Sequence, residues 1–165
     1  MTATGTPAGR PKSEIKAMRI LCSALIAGVV MFALVSVGVL QVIEGPILPE
    51  NELPDKNIFL YVAAGFGALG LLLAVTRFNK RLTVIRQVEN TVTGKLSQYR
   101  SALIIYMALC EAPALFSVIV LFLTRQYAVL GITAVMLVAM ISMMPQKKKL
   151  IDTLQLDWQD QQELE

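Results

Sequence analysis

Long uncharged stretches alternate with short charged ones along this chain. From Ile20 to Ile43, 24 residues pass without a charge. The stretches Ile58 to Thr76, Ser101 to Leu123 and Tyr127 to Met144 repeat the pattern, and the third carries a single charge, Glu111. A helix of roughly 20 apolar residues crosses a hydrocarbon core about 30 Å thick. Lipid offers no partner to a free backbone amide, so such segments must be helical. The pattern therefore predicts an all-α polytopic membrane protein with four transmembrane helices. Pro145 marks the end of the fourth, because proline cannot continue the backbone ladder.

The segment between spans 2 and 3 has its own pattern. Residues 77–92 contain no proline or glycine, and Leu82, Ile85, Val88, Val92 and Leu96 recur at helical spacing. Helix 2 is expected to run on from Ile58 to Val92, roughly 50 Å at 1.5 Å per residue. Gly94 is the expected stop and turn, with helix 3 starting near Lys95. Residues 77–100 thus read as a helical hairpin extending from the membrane into the cytosol. The resulting division is an unstructured cytosolic N-terminus (1–16), a membrane domain (17–145) and a cytosolic amphipathic tail (146–165). In the tail, Leu150, Ile151, Leu154 and Trp158 share one helical face.

Charge sets the orientation. Lys and Arg cluster before span 1 (Arg10, Lys12, Lys16, Arg19), between spans 2 and 3 (Arg77, Lys80, Arg81, Arg86, Lys95, Arg100) and after span 4 (Lys147, Lys148, Lys149). The other two loops hold only Lys56 and Arg125. With four spans all three basic clusters fall on one side, which by the positive-inside rule is the cytosol. The expected location is a bacterial inner (plasma) membrane, multi-pass, with both termini inside.

Composition narrows the chemistry. Hydrophobic residues make up 55% and charged residues 16% of the chain, so the net charge of +3 reads as topology and not as a nucleic-acid surface. No histidine is present, which removes the commonest metal ligand and general base. Cys22 and Cys110 lie inside predicted spans and read as small packing residues. No cofactor, metal or catalytic residue is expected, and the chain reads as a non-enzyme.

Three local features carry the rest. Gly65, Gly67 and Gly70 match a dinucleotide-binding spacing, but they lie inside a span, without the preceding strand that motif requires. Small residues at Ala63, Gly67 and Gly70, and at Ala24 and Gly28, read instead as sites of close helix packing. Glu111 stands near the middle of span 3, where insertion of an acid costs about 2.5–3.5 kcal/mol, so it should face protein or a water-filled cavity. Pro113 is expected to kink the helix and leave the Leu109 carbonyl without its usual donor, an arrangement able to bind a proton or small cation. The plainer alternative is a carboxyl that hydrogen-bonds a neighbouring helix and sets bundle geometry. Arg77, Lys80, Arg81, Arg86 and Lys147–Lys149 are candidates for binding lipid headgroups or docking a partner, or serve only to set topology.

Two resemblances surface at span 3. Tyr99-Arg100-Ser101-Ala102, then Cys110-Glu111-Ala112-Pro113-Ala114-Leu115-Phe116, then Pro145 and the tail from Lys149 to Leu156 resemble a family of small four-span bacterial membrane proteins with no assigned activity. That resemblance implies the architecture and leaves activity open. The hairpin is also similar in outline to proteolipid c subunits of rotary ATPases. Gly65, Gly67 and Gly70 match the glycine-rich helix, Arg86-Gln87 the polar loop and Glu111 the ion site. Val88 stands where that family has proline, the interval from loop to carboxylate is longer, two extra spans flank the hairpin, and Pro113 follows the acid. The expected function is a structural or assembly component with a cytosolic docking hairpin. The alternatives are a proton- or cation-linked transporter or coupling subunit built on Glu111 and, third, a membrane enzyme. Partners would be membrane lipids, and a second copy or another membrane protein, with no nucleic acid.

Overall fold

The computed structural model describes residues 10–43, 56–88 and 92–145. Four α-helices follow one another: α1 (Arg10–Val42), α2 (Lys56–Val88), α3 (Val92–Thr124) and α4 (Leu130–Ser142), with a short 3-10 turn at Tyr127–Val129 leading into α4. Among the described residues there is no strand. Three helices contain segments long and apolar enough to cross a membrane: Ile15–Val42, Asn57–Ile85 and Gly94–Thr124. The fourth apolar segment, Tyr127–Ser142, is shorter.

Helix boundaries differ from the sequence pattern at three points. α1 is helical from Arg10, inside the segment 1–16 expected to be unstructured. Pro11 falls in the first turn, where backbone N–H groups have no intrahelical acceptor, so its missing donor costs nothing. α2 is described as far as Val88 and α3 from Val92, with Gly94 in the first turn of α3 and not at the break; residues 89–91 between them lie outside the described residues. A glycine weakens a helix most in its interior, so the first turn accommodates it. α4 ends at Ser142, three residues before Pro145, in keeping with the restriction proline places on the residues before it. Residues 146–165, including Lys147–Lys149 and the amphipathic tail, lie outside the described residues.

α3 is the centre of the bundle and packs on α1, α2 and α4, while α4 also touches α1 and α2. α1 and α2 therefore flank the α3–α4 pair from either side. α2 and α4 run antiparallel to α3, and α1 runs parallel to it. Phe78 of α2 meets both Tyr99 and Tyr106 of α3 edge to face, at ring-centroid distances of 5.8 and 5.6 Å. Farther along, Phe66 meets Phe116 at 5.4 Å. The core falls into two parts. One gathers Met18, Cys22, Phe78, Leu82, Ile85, Leu96, Tyr99, Met107 and Met140. The other, at the opposite end, gathers Leu40, Ala63, Val120, Leu121 and Val129.

α2 shows how residue size sets this packing. It buries Ala63, Gly67, Gly70, Ala74, Phe78, Leu82 and Ile85, spaced three or four apart on one stripe. The first four are small and let neighbouring backbones come close. The last three are large and fill the space where α2 and α3 continue beyond their uncharged stretches. Two long-range bonds join α1 and the residue that follows it to residues flanking α4. The Arg19 guanidinium donates to the Pro145 carbonyl (3.4 Å), and that of Arg125 donates to the Ile43 carbonyl.

Candidate functional site

Glu111 is positioned by the middle of α3, where it is only partly buried. Among the described residues its carboxyl has no hydrogen-bond or ion-pair partner. Its neighbours on α3, Ala108 and Ala112, are both exposed, so the carboxyl stands at the margin of the outward face of α3. Two of the polar groups at comparable depth are committed elsewhere. The Ser117 hydroxyl donates to the Pro113 carbonyl (2.8 Å) and the Thr133 hydroxyl to the Ala114 carbonyl (3.4 Å). Ser36 is buried on α1 and Ser23 is exposed.

Pro113 lies within α3, which runs unbroken from Val92 to Thr124. Proline cannot donate to the carbonyl four residues earlier, Leu109. That carbonyl lies on the side of α3 that meets α2. A Cβ placed on Gly70 would stand 2.9 Å from the Leu109 oxygen and 2.6 Å from Pro113 Cγ. Gly70 therefore leaves the room that the Pro113 ring and the Leu109 carbonyl occupy. Glu111 is two residues from both Leu109 and Pro113, a rotation of about 200° at 3.6 residues per turn. The carboxyl and the freed carbonyl thus point to opposite sides of α3 and do not converge.

The small residues divide in the same way. Ala63, Gly67 and Gly70 are buried, and a Cβ on Gly67 would meet Ile132 Cγ2 at 2.9 Å and Met136 Cε at 3.3 Å on α4. Ala24 and Gly28 are exposed on α1, and nothing lies within 4 Å of a Cβ on Gly28. Gly65, though part of the glycine-rich run, also faces open space. Cys22 and Cys110 are free thiols, both fully buried.

Arg77, Lys80 and Arg81 are exposed on one face of α2. They border a cleft between α2 and α3 whose other walls are Phe78, Ala102 and Ile105. A second cleft continues from Lys80 and Arg81 along Val84, Ile85 and Gln98. No acidic side chain lines either part among the described residues. Arg86 lies in α2, but its side chain is not among those described. The walls follow from helical spacing: positions 77, 80, 81 and 84 form one stripe of α2, and 98, 102 and 105 one stripe of α3. Sequence reasoning named the cations but missed the α3 wall, whose residues are unremarkable apolar and amide side chains.

Among the described residues no group of three or more His, Cys, Asp or Glu side chains is placed to hold a metal ion. Arg125 was legible only as the lone cation of its loop. Its role in tying α3 to the end of α1 depends on the fold. The chain matches no protein-family model, no curated protein and no solved structure.

Proposed function

We propose that this chain is a non-enzymatic integral membrane protein of four spans, with a structural or assembly role centred on the end of the bundle that carries its cations. The supporting observation is where unused polar capacity stands. Within the spans, Ser117 and Thr133 are committed to helix carbonyls, and Glu111 is turned away from the carbonyl that Pro113 frees. Among the described residues no acidic side chain meets the charges of Arg77, Lys80 and Arg81 in the cleft they border, and this reading assigns them to a partner outside the chain.

Four spans are supported by the ties at the ends of α4. Arg19, at the start of the first uncharged stretch, reaches Pro145 just beyond α4. Arg125, just before the turn that leads into α4, reaches Ile43 at the other end of that stretch. The segment from Arg125 to Pro145, which contains the short fourth helix, is therefore tied to the first span near both of its ends. This arrangement puts Lys16, Arg19, Arg77, Lys80, Arg81, Lys95 and Arg100 at one end and Arg125 at the other, which fits a cytosolic placement of the basic end and of the α2–α3 hairpin. A bacterial inner membrane is the setting that this reading adopts.

A second reading makes Glu111 a proton- or cation-binding carboxyl in transport or coupling, and its partly open side chain, without a partner among the described residues, favours it. Purified protein in liposomes loaded with a pH-sensitive dye, under an imposed potential and with or without a sodium gradient, separates the two. The structural reading expects no flux above empty liposomes that depends on Glu111. A proton or sodium flux lost in Glu111→Gln, with folding intact, would replace it with the transport reading. In cells, charge reversal at Arg81 and Arg86 is expected to disturb assembly more than Glu111→Gln does.

A further inference from the structure

We infer that the cleft between α2 and α3 binds the headgroup and upper acyl chain of one anionic phospholipid. The inference rests on the membrane reading above and deepens its docking surface by naming an occupant.

Three observations carry it. The first is position. Arg77 is the first charge after the uncharged stretch of α2, and Arg100 the last before that of α3, so the cleft straddles the border between hydrocarbon and water. The second is amphipathic construction. Phe78, Ala102 and Ile105 supply an apolar floor toward the span, and Arg77, Lys80 and Arg81 supply charge above it. A soluble anion has no use for such a floor, whereas a phospholipid needs both parts. The third is charge complementarity. Cations in a cleft without an acidic lining residue among those described attract a phosphodiester, and arginine matches its oxygens in bidentate geometry. The floor is rigid, because Phe78 is clamped between Tyr99 and Tyr106.

The test is native mass spectrometry of the full-length protein in detergent, titrated separately with phosphatidylglycerol and phosphatidylcholine. Wild type is expected to retain phosphatidylglycerol preferentially, as a single saturable adduct. Arg77→Gln/Lys80→Gln/Arg81→Gln should lose that preference, by about fivefold per cation removed. Lys16→Gln/Arg100→Gln, which removes cations from the same end of the bundle without touching the cleft, should retain it. Ile105→Trp should weaken binding with every charge in place, because it fills the floor. Thermal unfolding of each variant distinguishes a lost site from a lost fold.

Equal loss in the two charge variants would mean general surface attraction and would overturn the site. Absence of headgroup preference in wild type would do the same. Competition by glycerol 3-phosphate at the concentration at which the lipid binds would reassign the cleft to a soluble anion and also overturn the proposal. Release of the protein from membranes by alkaline carbonate would instead defeat the membrane reading itself, so the two failures are distinguishable.

Discussion

Gly70 of α2 lies directly against Pro113 of α3. A single added methyl would come within 2.6 Å of the proline ring and 2.9 Å of the Leu109 carbonyl. The second contact is with backbone, which cannot swing aside. Gly70→Ala should therefore destabilise the bundle by about 1–3 kcal/mol, outweighing the gain in helix propensity. Gly67→Ala meets side chains and no backbone, the stiff Ile132 Cγ2 methyl at 2.9 Å and the flexible tip of Met136 at 3.3 Å, and should cost less than Gly70→Ala but more than nothing. Gly65→Ala and Gly28→Ala meet nothing within 4 Å and should be neutral or slightly stabilising. Unfolding of the four variants in mixed micelles, followed by circular dichroism, gives the ranking. A Gly70→Ala protein as stable as Gly65→Ala would refute this account of the α2–α3 contact.

The same contact predicts a coupling. Pro113→Ala restores an N–H able to reach Leu109 and removes the ring atom closest to Gly70. Gly70→Ala should then cost less in the Pro113→Ala background than alone, with a coupling of about 0.5–3 kcal/mol, as for other residues in direct contact. Additive single and double variants would show that the two positions do not share a packing constraint.

Phe78 holds α2 to α3 beyond the glycine-rich part through its two edge-to-face contacts with Tyr99 and Tyr106. Its side chain is 5% exposed, so Phe78→Ala should cost about 3–5 kcal/mol, in the range for a buried aromatic. The loss should be local. Amide hydrogen exchange is expected to quicken at Leu82–Ile85 and Leu96–Tyr99 while the Ala63 and Val120 region stays protected. Uniform quickening along the whole pair would show that this end is not a separable packing unit.

Arg125 closes α3 with φ at 55°, its amide bonded to the Leu121 carbonyl (2.8 Å) and its guanidinium to that of Ile43. A side chain in that left-handed conformation costs about 1–2 kcal/mol that glycine avoids. Arg125→Ala loses the bond and keeps the backbone penalty, whereas Arg125→Gly loses both. Arg125→Gly should therefore be the more stable of the two by about 1 kcal/mol. Thermal midpoints of the pair in one detergent decide it, and the reverse order would place the residue in an ordinary helical conformation.

Charge and apolar length were legible in the chain itself. Uncharged stretches of adequate length require helices, whatever their neighbours, because lipid cannot satisfy a free amide. Helical spacing likewise identified Leu82, Ile85 and Leu96, each buried where α2 and α3 run past their uncharged stretches. The start of α3 was read a few residues too far along. The sequence offers a glycine at 94 as a stop, but a first turn tolerates glycine.

Azimuth was the part only tertiary structure decided. Within a span nearly every side chain is apolar, and the lipid around it is as apolar as the core, so hydrophobic periodicity does not say which face turns inward. Ala24, Gly28, Ala63, Gly67 and Gly70 look alike in sequence, yet only the last three are buried against neighbours. Depth placed Glu111 beside the carbonyl that Pro113 frees, and the packing of α2 against Gly70 shows that the two lie on opposite sides of α3. The α2–α3 cleft arises for the same reason: its cations are visible one by one in the chain, but its floor exists only once two antiparallel helices bring positions 78, 102 and 105 together.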